Sequence, residues 1–128
     1  MAVVHVLKKT EQEVVLKIYE TGSSGGTVQI DPDSTDYILT SRETYSNSAT
    51  TSIKEIFWGA KKDKQIDITR VDDPVANTVH GHYYLLNTGS YNFEGFVDDV
   101  YANGAIRVIG DGPFHVILKM SKTGFPVA

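Results

Sequence analysis

The chain has 128 residues, with 12 Lys and Arg against 16 Asp and Glu, a formal net charge of −4, and 41% hydrophobic and 22% charged residues. This balance suits a single packed domain over residues 1–128. It is too apolar for a disordered chain, and its acidic excess argues against a nucleic-acid-binding surface. Cysteine is absent, which excludes disulfides, thiolate metal ligands and a cysteine nucleophile.

The opening Met-Ala-Val-Val-His-Val-Leu-Lys-Lys lacks the basic start and apolar stretch of a secretory signal, and no run approaches the roughly 20 apolar residues of a membrane helix. The expectation is a soluble protein made in a cytoplasm and not exported by a signal peptide.

The dominant pattern is period two, broken by turn residues. Val4, Val6 and Lys8 alternate with His5, Leu7 and Lys9. From Glu13 to Glu20, Val14, Leu16 and Ile18 share one face, and the short link between the segments predicts an antiparallel hairpin. Thr21 to Gly26 reads as a flexible connection, Thr27 to Ile30 as a brief strand, and Asp31-Pro32-Asp33-Ser34 as a turn. Tyr37 to Thr40 suits a short strand, and Ser41 to Thr51 a polar surface loop, with room for one helical turn in this stretch. Ser52 to Ala60 reads as a strand with Ile53, Glu55 and Phe57 opposite Lys54, Ile56 and Trp58.

Lys61-Lys62-Asp63-Lys64 then makes a charged turn whose lysines would discourage edge-to-edge pairing. It is also the only candidate for a local basic patch. Gln65 to Val71 and His82 to Leu86 follow as strands, the first ended by Asp72-Asp73-Pro74 and the second by an Asn87-Thr88-Gly89-Ser90 turn. Asn103-Gly104 between Val97–Ala102 and Ala105–Ile109 has the type I′ hairpin signature. After Gly110-Asp111-Gly112-Pro113, the segment Phe114 to Lys122 completes an expected C-terminal meander. No window keeps helical spacing. The predicted fold is all-β, an antiparallel β-sandwich or squat β-barrel of about eight to ten short strands.

Candidate chemistry is sparse. His80-Gly81-His82 is the sharpest signal, because residues two apart on a strand share a face and two imidazoles could reach one metal, with His115 or Glu94 as a further ligand. Such a pair is common by chance, so the expectation is no metal and no cofactor. Asp72-Asp73 and Asp98-Asp99 are neighbours that face opposite ways on a strand and make no catalytic dyad. Asp31 to Asp36 begins like a calcium loop, but it lacks the sixth-position glycine and has Arg42 where a bidentate Glu belongs. Gly22-Ser23-Ser24-Gly25-Gly26 has no Lys-Ser/Thr behind it and no helix to cradle phosphate. Nucleophilic catalysis has no motif, so no catalytic residue is assigned and an enzyme is not expected. Tyr83, Tyr84, Tyr91, Phe93, Phe96 and Tyr101 cluster, with Trp58 elsewhere. This Tyr83–Tyr101 group fits a core and its rim better than a sugar-stacking surface, although exposed rings on a β face do bind glycans.

Three stretches carry a family likeness. They are Val4-His5-Val6-Leu7-Lys8-Lys9-Thr10, Trp58-Gly59-Ala60 with Ile66-Asp67-Ile68-Thr69-Arg70, and Gly104-Ala105-Ile106-Arg107-Val108 with His115-Val116-Ile117-Leu118-Lys119-Met120. In these the chain resembles small β-rich virion structural proteins of tailed bacteriophages, especially contractile-tailed cyanophages. Tyr83 to Phe96 has no counterpart. The resemblance implies a non-enzymatic particle component, a capsid decoration or cement protein or another head or tail accessory subunit. Its partners would be capsid or tail proteins and further copies of itself, with no nucleic acid and no membrane, and its location the virion. The N-terminal hairpin and the 41–51 loop are then the expected contact elements. The competing reading is a carbohydrate- or receptor-binding β-module, with a glycan as partner.

Overall fold

Strands form where β-branched and aromatic residues alternate with polar ones. The computed structural model describes residues 2–46, 48–71, 79–93 and 104–127, the side chains of 79–82 excepted. In chain order the strands are β1 (Val3–Lys9), β2 (Glu13–Glu20), β3 (Gly26–Ile30), β4 (Thr50–Ala60), β5 (Gln65–Val71), β6 (Val79–Leu86), β7 (Thr88–Asn92), β8 (Ala105–Gly110) and β9 (Phe114–Thr123). They form a β-sandwich: a five-stranded sheet ordered β1-β2-β9-β4-β7 and a four-stranded sheet ordered β3-β8-β5-β6, every pairing antiparallel. The barrel alternative falls away, since neither sheet closes on itself. No helix among the described residues is long and apolar enough to cross a membrane.

Between the sheets lie Val14, Leu16 and Ile18 from β2, Ile53 and Ile56 from β4, and Val116, Leu118 and Met120 from β9. Facing them are Ile66 and Ile68 from β5, Leu85 from β6, and Ile106 and Val108 from β8. Each such side chain removed from water contributes about 1.5–3 kcal/mol, so the alternating positions carry most of the driving force. The expected alternation holds along β2, β9 and the first four residues of β5, and breaks along β4. There Ile53 pairs with Met120 but Glu55 pairs with Lys119, so Lys54 is an extra residue in a bulge. The bulge turns both Ile53 and Ile56 inward and leaves Phe57 44% exposed on the outer face.

Among the described residues the reversals at Thr10–Gln12, Lys61–Lys64 and Gly110–Pro113 fall where the sequence predicts them, but most connections between successive strands join different sheets. Among the described strands, only β1–β2 and β5–β6 are consecutive strands that pair. The expected C-terminal meander is corrected: β8 pairs with β3 and β5, whereas β9 pairs with β2 and β4, so Gly110 to Pro113 carries the chain from one sheet to the other. The Asn103-Gly104 hairpin and Val97–Ala102 lie outside the fully described residues. The Lys61–Lys64 turn likewise joins β4 to β5 across the sandwich, so it protects no sheet edge. Asn87 alone, at φ 60°, turns β6 into β7, and Thr88 to Ser90 already belong to a strand.

These crossovers are stitched together at one end. Lys61 N–H donates to Pro113 O (3.1 Å), Ala60 N–H to Asn87 O (2.7 Å), and Gln65 N–H to the Asp111 carboxylate (2.7 Å). The Thr21–Gly26 connection is a close-packed turn instead of an open linker. Gly25 has φ +78°, and a Cβ there would stand 2.0 Å from Gly110 O.

The region expected to hold a short strand at Tyr37–Thr40 is a single helical turn. Ser34 O accepts from the N–H groups of both Ile38 (3.1 Å) and Leu39 (2.8 Å), and Ser34 Oγ caps Tyr37 N–H (3.1 Å). A capping serine after Asp31-Pro32 outcompeted the weak strand propensity of Tyr-Ile-Leu. The 41–51 segment is no free surface loop either: Glu43, Ala49 and Thr51 are buried, and Glu43 pairs with Val127 in an isolated bridge.

Candidate functional site

Outward positions of β2, β9 and β4 fall in register across the five-stranded sheet. Tyr19, His115 and Gly59 form one row, and Lys17, Ile117 and Phe57 the next. Cross-strand partners share a face about 5 Å apart, so these residues make one continuous surface. A Cβ on Gly59 would stand 2.4 Å from His115 Cε1. The imidazole therefore occupies the space above Gly59, and its placement depends on that residue having no side chain. Two hollows meet at His115. One, of about 490 Å³, is lined by Glu20, Thr21, Gly59, Ala60, Lys61, Thr88, Pro113 and Phe114; the other, of about 400 Å³, by Lys17, Tyr19 and Ile117.

The chemistry of this groove is mixed. Lys17 Nζ stands 5.9 Å from the Tyr19 ring centroid. The His5 ring is stacked on Tyr19 at 5.6 Å between centroids, with its Nε2 3.5 Å from the phenol oxygen. Glu20, buried at the end of β2, accepts Gly22 N–H at 3.0 Å through Oε2. Lys61 reaches the site because the β4–β5 crossover begins there. Neither Lys17 nor Lys61 forms an ion pair with a described carboxylate. The arrangement presents aromatic rings and cations along an open surface, with the Glu20 carboxylate engaged by the turn that follows β2.

The histidine pair singled out in the sequence sits elsewhere, and its premise changes. The β5–β6 register shifts there, so His82 stands opposite Thr69 and His80 opposite the next residue, Arg70. The spacing of two therefore does not give equivalent positions, because a bulge consumes Gly81. His115, offered as a third ligand, lies in the other sheet. Among the described residues no group of three His, Asp or Glu side chains is placed to hold a metal ion. Asp72-Asp73, Asp98-Asp99, Glu94, Phe96 and Tyr101 lie outside the described residues.

The remaining aromatics line the seam where β6 and β7 approach. Trp58 contacts Tyr91 (5.0 Å between centroids), Tyr91 contacts Phe93 (6.0 Å), and Phe93 meets Tyr83 edge-on (5.4 Å). Trp58 is 8% exposed and donates its indole N–H to Leu86 O at 3.0 Å, so it is a core residue and not a sugar platform. Tyr91 and Tyr84 are exposed at the rim.

Two buried polar arrangements had no sequence signal. Arg70 points between the sheets and binds Thr51 of β4 through its carbonyl (2.6 Å) and hydroxyl (3.1 Å), and Gly104 O at 3.3 Å. Lys122 Nζ, fully buried, donates to Thr10 O (2.9 Å), Ile38 O (2.6 Å) and the Glu43 carboxylate. Burial pushes the Glu43 carboxyl up, but Lys122 and the Thr40 N–H outweigh it and hold the group below the ordinary carboxylate range.

No protein-family model matches the chain, and no curated protein is significantly similar to it.

Proposed function

We propose that the chain is a non-enzymatic structural subunit of a tailed-phage virion, a capsid decoration or cement protein or another head or tail accessory subunit. It works by association with capsid or tail proteins and with copies of itself. The observation that supports this reading is the distribution of apolar side chains over the sandwich edges. Edge strand β1 exposes Val3 (41%), Val6 (39%) and Leu7 (54%), and Leu7 is the extra residue of a bulge between Val6 and Lys8. At the other side of the sandwich, edge strands β6 and β7 expose Tyr84 (60%), Leu86 (54%) and Tyr91 (45%).

Soluble monomers usually blunt their sheet edges with charge, so apolar edges on two opposite sides favour contact with other chains. Two different patches on opposite sides suit head-to-tail association, which closes into rings when the rotation permits. Repeated over a lattice, modest contacts add up to tight attachment.

The test is light scattering over a concentration series, together with binding of labelled protein to heads and tails of the phage that encodes it. The expected result is a defined oligomer or saturable particle binding, either of which Leu7→Asp abolishes while the fold survives. A monomer that binds no particle would overturn the proposal.

A further inference from the structure

We propose that the two ends of the five-stranded sheet join between copies of the chain. β1 of one copy adds to β7 of the next in parallel, and one sheet runs on from copy to copy. This rests on the self-association put forward above and names the strands that meet. Both strands end the sheet: among the described residues, β1 is hydrogen-bonded along its backbone to β2 alone, and β7 pairs in the sheet with β4 alone. Such an end offers a row of amides and carbonyls to a further strand, and free lysines are a common protection against it. The lysines of β1 do not serve that purpose, because both are bound within their own chain. Lys8 pairs with the Glu13 carboxylate, and Lys9 Nζ donates to Thr35 O (3.2 Å) and Asp36 O (3.3 Å). Neither Val3 to Leu7 nor Thr88 to Asn92 contains an Asp, Glu, Lys or Arg, so no like charges meet across the seam.

Direction and face follow from the fold. Every pairing from β1 through β2, β9 and β4 to β7 is antiparallel, so β1 and β7 run the same way. A rotation axis along the strands keeps that direction in every copy, which makes the seam parallel and the assembly a ring. On the inner face β1 presents Val4 and Val6, opposite Ile18 and Leu16, and β7 presents Gly89 and Tyr91, opposite Trp58 and Ile56. The spacing of two matches: with Val4 beside Gly89 of the next copy, Val6 stands beside its Tyr91. Val6 is 39% and Tyr91 45% exposed, although both lie on the face that packs the core, because the sheet ends at them. The seam covers both, and a β-branched residue beside an aromatic ring is a favourable cross-strand pair. Pairing of β1 with β1 about a two-fold axis would leave Tyr91 uncovered. The bulge after Val6 bends β1 away and keeps the seam short, in line with modest contacts repeated around a ring.

The chain has no cysteine, so cysteine variants report the seam directly. Val6→Cys and Tyr91→Cys proteins, each shown to be folded by circular dichroism, are mixed and treated with a short bis-maleimide, in solution and bound to particles. A cross-linked pair is expected from the mixture and from neither variant alone. The double variant Val6→Cys/Tyr91→Cys should give a ladder that ends at the ring. Ile109→Cys, at an exposed position of β8, should give no pair when it replaces Val6→Cys in the mixture. Val6→Ser should raise the concentration needed for half-assembly roughly tenfold. A dimer from Val6→Cys alone would assign β1 to a two-fold contact, and a mixture without product would place the contact elsewhere. Either result overturns the seam, while an oligomer seen by light scattering would keep the subunit reading. A chain that is monomeric at every concentration and binds no particle overturns both.

Discussion

Lys122 on the last strand donates to the carboxylate of Glu43, 79 residues away in sequence, and the two side chains are 0% and 1% exposed. The same ammonium also binds carbonyls from the β1–β2 turn and from the helical turn at Ile38. All three of its donors are used, so the pair locks four chain segments at one end of the sandwich. Thr44 N–H to Pro126 O (2.9 Å) and Ser46 Oγ to Gly124 O (3.3 Å) extend the contact along the C-terminal tail.

Removing one member of this pair leaves a buried charge without its counter-ion. Glu43→Leu and Lys122→Met should each cost about 3–5 kcal/mol, as such single truncations do. The double variant Glu43→Leu/Lys122→Met should cost clearly less than the sum. Urea denaturation of the four proteins checks this, and additive losses would show that the pair is not coupled. For the same reason, deleting residues 41–51 should unfold the domain, not merely free it from its partners.

Acid should weaken the fold through the same carboxylate. The folded-state pKa of Glu43 is lowered, so its contribution is fully present above the ordinary Glu value of about 4.3 and fades as pH falls towards the lower folded value. Glu13, held low first by its hydrogen bond to Lys8, acts in the same direction at an exposed site. Thermal melting between pH 7 and pH 3 should show a falling Tm, with a smaller fall in the Glu43→Leu/Lys122→Met protein. An equal fall in both would assign the acid sensitivity to other groups.

Trp58 and Tyr91 touch, yet they should respond differently to truncation. Trp58→Ala empties a buried site and should cost about 3–5 kcal/mol. Tyr91→Ala, at a 45% exposed rim position, should cost about 1 kcal/mol. Chemical denaturation monitored by circular dichroism separates the two, and a similar loss at both positions would place Tyr91 in the core.

Strand positions were legible because burial on one face of a sheet writes a period-two pattern into the chain. Along β2 and β9, Val14, Leu16, Ile18, Val116, Leu118 and Met120 all face inward as the alternation requires. Along β4 the pattern misleads, because a bulge at Lys54 shifts the register between Ile53 and Glu55. An inserted residue is invisible to periodicity when both of its neighbours are plausible strand residues. The same holds for His80 and His82, whose spacing suggested one face until the register placed a bulge between them.

The all-β character, the turns at Thr10–Gln12, Lys61–Lys64 and Gly110–Pro113, and most of the core side chains could be read from the residues themselves, because these depend on local propensity and on one-sided burial. Tertiary structure alone decided which sheet each strand joins, since a turn encodes reversal but not the partner that follows. Gly110 to Pro113 reads as a hairpin turn and serves as a crossover. It also decided the fate of the polar residues. Glu43, Arg70 and Lys122 look like solvent-facing charges in a polar loop and two strands, and become buried only because distant carbonyls and one carboxylate converge on them. The groove at His115 arose the same way, from residues of β2, β4, β9 and two crossovers that only strand register brings together.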